Sequence, residues 1–197
     1  CVPRMSTAKD QLRSEILGAR RVLDDATRAA EAAALTSAIR VFAVPDVVCA
    51  YVPVGTEPGA VTMLDACRDA GARVLLPIVV TDDVGTPLPL QWSQYLPGQL
   101  APARFGLREP TGPRLPPETL ACAGLVLVPA LAVDRHGVRL GRGAGFYDRS
   151  LPLRDPAAHL MAVVRDVELI DEVPGDPHDV PMTHALTPSR GVVSLGG

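Results

Sequence analysis

Three glycines stand at alternate positions in the stretch VRLGRGAGFYDRSL: Gly141, Gly143 and Gly145. Glycine reaches backbone angles closed to other residues but is entropically costly to order. Three of them at this spacing therefore indicate a backbone that lies close against a ligand. Successive backbone N–H groups in such a turn form an anion-binding concavity, and Arg139 and Arg142 add fork-shaped donors for phosphate oxygens. The stretch predicts a phosphate site. The alternative interpretation is a glycine-rich connection that only turns the chain.

Asp148 follows the glycines directly and extends the same prediction to a metal ion. Mg²⁺ prefers a carboxylate together with phosphate oxygens, so Asp148 is a candidate ligand for magnesium that bridges bound phosphates. The stretch does not match the Walker A motif or the dinucleotide-binding glycine fingerprint.

The elements that must position this stretch are buried strands alternating with helices. Helical periodicity predicts one long helix, or two in succession, over residues 6–38, capped by Ser6 or Thr7. A second helix is predicted at 61–71, and residues 81–119 read as irregular loops with one short strand pair. Apolar, valine-rich runs predict strands at 46–54, 73–80, 124–133, 158–164 and 191–195.

This alternation predicts a single open, mostly parallel α/β sheet with helices on both faces, in three layers. Residues 1–197 form one expected domain, with residues 1–5 as a disordered segment or start-site extension. Ligands of such sheets bind beyond the carboxyl ends of the strands. The glycine stretch follows the third predicted strand directly and therefore lies in that place.

Composition excludes several classes of protein. With a net charge of −3, the chain is not expected to bind nucleic acid. It has no apolar run of about 18 residues, so a membrane span is not expected. Its four cysteines show no metal or disulfide spacing, which favours a reduced, cytoplasmic protein. Lys9 is the only lysine of the chain.

Five stretches together resemble the 5-formyltetrahydrofolate cyclo-ligase family, also called methenyltetrahydrofolate synthetases. The most specific is VPALAVDRHGVRLGRGAGFYDRSL, which resembles the family's strand, turn and glycine signature. The others are AKDQLRSEILGAR, YVPVGTEPGAVTMLDACRDAGARVLLP, FGLREP and VPGDPHDVPMTHALTP. They occur in the family's order and spacing, so the resemblance spans nearly the whole chain.

The resemblance implies an ATP- and Mg²⁺-dependent enzyme that converts 5-formyltetrahydrofolate to 5,10-methenyltetrahydrofolate, with release of ADP and phosphate. ATP would phosphorylate the formyl oxygen, N10 would attack the activated carbon, and phosphate would leave. Its partners would be these small molecules, and the chain would be a monomer or a weak homodimer.

The resemblance also implies roles for residues at matching positions. Arg142 and Tyr147 would be catalytic, and Asp148 and Asp179 would bind Mg²⁺. Val52 and Glu57 would bind the folate, together with residues 142–146. ATP would be bound by Lys9, Arg13, Arg139, Leu140, Gly141, Arg142, Gly143, Ala144, Gly145, Phe146 and Tyr147.

Two positions depart from the family pattern. Ala144 stands where the family often has glycine or lysine, and Phe146 replaces a tyrosine but keeps the ring. Two roles are open for Trp92 and Tyr95: stacking on a pterin ring, or packing in the core. Two other functions stay open on fold grounds: a sugar-phosphate isomerase or transferase, and a non-catalytic folate- or nucleotide-binding protein.

Overall fold

The computed structural model describes residues 8–175 and 179–196. The predicted extension at 1–5, the caps Ser6 and Thr7, and residues 176–178 of the stretch VPGDPHDVPMTHALTP lie outside the described residues. The helices are α1 (Ala8–Arg21), α2 (Asp25–Val41), α3 (Val61–Asp69) and α4 (Phe146–Ser150). The strands are β1 (Val47–Cys49), β2 (Arg73–Ile78), β3 (Gln91–Gln94), β4 (Leu100–Pro102), β5 (Arg108–Pro110), β6 (Leu125–Pro129), β7 (Ala132–Asp134), β8 (Arg139–Leu140), β9 (His159–Val163), β10 (Leu169–Ile170), β11 (His184–Thr187) and β12 (Gly191–Ser194).

Seven strands form the central sheet in the order β12-β11-β9-β6-β1-β2-β3. The five inner strands are parallel, and β12 and β3 pair antiparallel at the two edges. A small sheet, β10-β7-β8, and the hairpin β4-β5 complete the strands. The mostly parallel α/β sheet predicted from the apolar runs is confirmed.

Apolar cores cover both faces of this sheet. On one face, α2 and α3 pack on the strands through Leu35, Ile39 and Met63. On the other face, Leu120 and Leu151, from short 3-10 turns, pack on the sheet together with Trp92. This is the three-layer arrangement that the sequence predicts.

The N-terminal helical region forms two helices, one of the two arrangements predicted for it. Asp24 separates them: its side chain accepts a hydrogen bond from the backbone N–H of Thr27 at 2.7 Å and caps α2. The first helix, α1, packs through Leu12 and Ile16 against Leu131 beside the small sheet. This packing brings α1 next to the glycine stretch.

The strand predicted at 124–133 is wrong in one respect, because the structure divides it into β6 and β7. Proline has no N–H to donate to a ladder, and Pro129 ends β6. The backbone N–H of Leu131 then donates to the carbonyl of Leu140 at 2.7 Å, which directs the chain into the small sheet. Ala130 and Leu131 therefore lie at the carboxyl end of β6, between the two strands.

The reading of Trp92 and Tyr95 as core residues is favoured, since both are buried, at 1% and 2% exposure. Cys49 and Cys67 are also buried, but Cys122 is exposed. The 3-10 turn at Pro117–Cys122 buries Leu120 instead. In the part of the chain that the structure describes, none of the helices has the length and apolarity needed to cross a membrane.

Candidate functional site

A cavity of about 340 Å³ lies at the carboxyl ends of three neighbouring parallel strands. Tyr51 and Val52 follow β1, Val79 follows β2, and Ala130 and Leu131 follow β6, and all five line it. Ligand pockets of open α/β sheets form at this edge. The structure therefore has a cavity at the edge of the sheet where the sequence predicts the ligand site.

Most of the residues predicted for the site line this one cavity. They are Val52, Glu57, Arg139, Gly141, Arg142, Gly143, Ala144, Gly145, Phe146, Tyr147 and Asp148. Four others do not line it. Leu140 is buried in the small sheet, while Lys9, Arg13 and Asp179 lie on other segments of the chain.

Two of the three glycines have backbone angles that favour glycine. Gly143 has φ +91° and Gly145 has φ +82°. A Cβ at Gly145 would also lie 2.5 Å from Nη1 of Arg149. Gly141 has an ordinary φ, but a Cβ there would lie 2.8 Å from Nη1 of Arg139. The glycines therefore keep the backbone close to two arginine side chains.

Arg13 of α1 contacts the glycine stretch from outside the cavity. Its Nε donates to the carbonyl of Gly141 at 3.0 Å, and its Nη1 pairs with Asp10 at 2.8 Å. One turn earlier in the helix, Nζ of Lys9 lies 3.7 Å from Oδ2 of Asp179. The two cations of α1 predicted to contact ATP thus lie beside the loop and beside a proposed metal ligand.

Arg139 is held in a fixed orientation inside the site. Its side chain is 8% exposed, and its Nη2 donates to Oδ1 of Asp148 at 2.6 Å. The guanidinium carbon lies 5.8 Å from the centre of the Tyr147 ring, within the range of a cation–π contact. The guanidinium is thus ordered before a ligand binds, which reduces the entropy lost on binding a phosphate.

Glu57 is a nearly buried carboxylate in the cavity wall, with its side chain 10% exposed. Oε1 lies 3.2 Å from Nε of Arg142, and Oε2 accepts from the backbone N–H of Val54 at 3.0 Å. Burial raises the pKa of Glu57, while the Val54 N–H and Arg142 oppose that shift. The side chain of Arg142 is 48% exposed, far more than that of Glu57, so a ligand can take its place beside the carboxylate.

Tyr147 has a buried hydroxyl without a hydrogen-bond partner among the described residues. Burial is the main cause that raises the pKa of this phenol, and the charge of Glu57 adds to it. The side chain therefore stays a neutral O–H donor. A buried donor without a partner destabilises the ligand-free protein, and a ligand oxygen in the cavity would satisfy it.

The residues present fit a magnesium ion held partly by phosphate. The described residues contain no group of three or more metal-binding side chains, so they form no complete protein cage. Mg²⁺ is commonly bound through one or two carboxylates and substrate phosphates. Asp148 is 55% exposed and contacts Arg139 through Oδ1, which leaves its other oxygen to face a ligand.

Sequence reasoning assigned no role to the hairpin that closes one side of the cavity. Phe105, Leu107, Arg108 and Glu109 all line it. They lie within or beside the FGLREP stretch, which the resemblance to the family singled out without naming functions. The signal was present, but nothing in the local pattern shows that this hairpin reaches the cavity.

Comparison with known proteins identifies the family to which this chain is similar. Residues 5–188 match the model of the 5-formyltetrahydrofolate cyclo-ligase family. A 5-formyltetrahydrofolate cyclo-ligase of Mycolicibacterium smegmatis is 56% identical over 189 residues, which are 95% of this chain and 97% of that protein.

Two solved structures share the fold. The 5,10-methenyltetrahydrofolate synthetase of Aquifex aeolicus superposes with a TM-score of 0.76 at 24% identity, covering 97% of this chain and 94% of that one. The synthetase of Mycoplasma pneumoniae gives 0.69 at 19% identity, covering 89% and 96%. With the family match over nearly the whole sequence, the chain belongs to the 5-formyltetrahydrofolate cyclo-ligase family.

Proposed function

We propose that the chain converts 5-formyltetrahydrofolate and ATP to 5,10-methenyltetrahydrofolate, ADP and phosphate. The observation that carries this proposal is that one cavity has two chemically different regions. The glycine stretch with Arg139 provides donors for phosphate, and Glu57 provides a buried carboxylate for the N–H groups of a pterin ring. The 56% identical relative, named a 5-formyltetrahydrofolate cyclo-ligase, supports the assignment.

The proposed reaction has two steps. The formyl oxygen attacks the γ-phosphorus of ATP, and ADP leaves. N10 then attacks the formyl carbon and gives up its proton. The bond from that carbon to the phosphorylated oxygen breaks, and inorganic phosphate departs with the oxygen and takes up the proton. Phosphoryl transfer depends mainly on positioning and on stabilisation of developing charge. A cavity rich in arginine and backbone donors suits that requirement.

Each cation of the site would have a different role in binding ATP. Arg139 is ordered by Asp148 and would bind a phosphate oxygen through its bidentate fork. Arg13 would hold the glycine stretch in place and bind the outer phosphates together with Lys9. Arg142 would leave Glu57 when the folate arrives and neutralise charge on the transferred phosphoryl group.

Tyr147 would donate its hydroxyl proton as a hydrogen bond to an oxygen of the reacting group. The hydroxyl is buried, neutral and without a partner among the described residues. Donors of this kind are most effective where charge develops in the transition state. We assign Tyr147 to the oxygen that passes between the formyl carbon and phosphorus.

Magnesium, held by Asp148 and Asp179 together with phosphate oxygens, would neutralise charge on the ATP phosphates. Asp179 reaches this region through its contact with Lys9. Both carboxylates face a cation of the chain in the ligand-free structure. They would accept the metal only when phosphate draws those cations away.

The proposal is tested with purified protein, 5-formyltetrahydrofolate and MgATP, with the methenyl product followed by its near-ultraviolet absorbance. Product should appear only in the complete mixture and not without ATP or magnesium. Absence of product from folded, ATP-binding protein would contradict the proposal, and turnover of a sugar phosphate without ATP would replace it.

Glu57→Gln supplies a second arm of this test. Loss of a buried charged hydrogen-bond acceptor costs about 1.5–3 kcal/mol, so the KM for folate should rise about 10- to 100-fold. The matched control is Glu118→Gln, because Glu118 is exposed outside the cavity. An unchanged KM in Glu57→Gln would remove Glu57 from the folate site.

A further inference from the structure

Phe105 has an unusual backbone conformation at the tip of the hairpin β4-β5. Its φ is +59° and its ψ is 24°, in the left-handed region. It is the one residue other than glycine with a positive φ in the described ranges. This conformation costs an L-residue about 1–2 kcal/mol. Such outliers in ordered segments concentrate at ligand-binding and catalytic sites.

Phe105 is also exposed in a way that the fold does not require. The side chain is 73% exposed, and among the exposed large apolar residues of the described chain it alone lines the cavity. An aromatic ring at the mouth of a pocket offers a broad apolar surface with two rotatable bonds, so little entropy is lost on contact. The two observations, strain and exposure at the cavity, point to a ligand that covers the ring.

The hairpin holds this ring in place. Across the tip, the N–H of Ala103 donates to the carbonyl of Leu107 at 2.9 Å. At its base, Oε1 of Glu109 accepts from the backbone N–H of Val79 at 2.9 Å and joins the hairpin to the end of β2. Phe105 is thus fixed relative to the carboxyl edge of the sheet.

The order of the strands indicates which part of a folate lies nearest to Phe105. The hairpin lies against β2, Glu57 follows β1, and the glycine stretch follows β6 through the small sheet. Because β1 lies between β2 and β6, the buried carboxylate lies between Phe105 and the cationic loop. A phosphate at the loop and a pterin at Glu57 leave the next group of the folate at Phe105.

We propose that Phe105 is a specificity-determining residue that packs against the p-aminobenzoyl ring of the folate substrate. This inference rests on the proposed function, because it takes the folate to bind at Glu57. The ring adds apolar contact at the mouth of the cavity and distinguishes a complete folate from a pterin without its side arm. It does not touch ATP.

Phe105→Gly tests the proposal, because glycine suits the backbone angles of this position better than phenylalanine does. The melting temperature should stay equal or rise. The KM for 5-formyltetrahydrofolate should rise about tenfold, while the KM for MgATP changes less than twofold. Phe105→Tyr keeps the ring and should stay within twofold of wild type for both substrates. Val84→Ala, at an exposed apolar position outside the cavity, is the matched control and should change neither.

A truncated ligand distinguishes binding of the pterin ring from binding of the p-aminobenzoyl ring. 6-Methyl-5-formyltetrahydropterin lacks the p-aminobenzoyl group and serves as a competitive inhibitor. Its inhibition constant should be the same in wild type and Phe105→Gly. An equal loss of affinity for this pterin, an equal rise in the KM for MgATP, or an unchanged KM for folate would overturn the proposal. The proposed function fails separately, if the wild-type protein forms no methenyl product.

Discussion

The pair Arg20–Glu168 allows one prediction to be worked from atomic contacts. Arg20 of α1 is 1% exposed and Glu168 is 4% exposed. Nε and Nη2 of Arg20 meet the two carboxylate oxygens at 2.6 and 2.7 Å, and Nη2 also donates to the carbonyl of Ala130 at 2.8 Å. Removing one partner of a buried pair destabilises a protein by about 3–5 kcal/mol.

The two single substitutions should differ within that range. In Arg20→Met, Glu168 keeps the backbone N–H of Arg165 at 2.8 Å and its guanidinium at 3.7 Å, so we expect a loss of about 3 kcal/mol in the free energy of unfolding. In Glu168→Leu, Arg20 keeps only the Ala130 carbonyl, and its Nη1 has no partner among residues 8–175 and 179–196 even in the wild type. We expect a loss of about 5 kcal/mol.

Urea unfolding at neutral pH measures both values, and an unchanged slope against denaturant shows that the same surface is exposed. The double variant Arg20→Met with Glu168→Leu should lose less than the sum, because neither charge is then left buried alone. A loss below about 1 kcal/mol in both single variants, or a larger loss in Arg20→Met than in Glu168→Leu, would refute this reasoning.

Three other predictions concern the loop, the backbone and pH. Arg13→Gln should raise the KM for ATP about tenfold and leave the KM for folate unchanged, since charged hydrogen bonds are worth about 1.5–3 kcal/mol; exposed Arg21→Gln on the same helix is the control. Gly143→Ala, at φ +91°, should lower stability by about 1 kcal/mol in thermal unfolding and raise the KM for ATP; unchanged values would show that this turn tolerates a side chain. Burial, and then the neighbouring charge of His159, lowers the pKa of His184 from 6.5. The unfolded chain thus binds the proton more readily, so stability should be full above about pH 6.5 and fall as pH drops below it, and His184→Gln should flatten that slope in urea titrations between pH 5 and 8.

The central sheet was predictable because its parallel strands are buried on both faces and therefore read as continuous valine-rich runs. The place of the glycine stretch followed from the same fact, since ligands lie beyond the carboxyl ends of such strands. The contact of Arg142 with Glu57 could not be predicted from the sequence. The two residues lie in turns far apart along the chain, and no local pattern indicates that those turns meet.

The hairpin shows the same limit. FGLREP contains no periodicity that fixes where its tip lies. The tip that holds Phe105 is closed by the hydrogen bond from Ala103 to Leu107, and only the contact of Glu109 with Val79 joins the hairpin to the central sheet. The division of β6 from β7 was within reach, since Pro129 stands where the run breaks. Residues that cross the molecule, such as Arg20 and Glu168, need the three-dimensional fold.

Lys9 gives the chain a chemical property that sequences with many lysines lack. It is the only lysine of 197 residues, and it lies 25% exposed beside Asp179 at the edge of the proposed nucleotide site. An acylating reagent therefore has one side-chain amine to modify besides the α-amine of the chain, and peptide mass spectrometry can follow the adduct on Lys9. The extent of labelling at Nζ of Lys9 should therefore fall when ATP occupies the proposed nucleotide site.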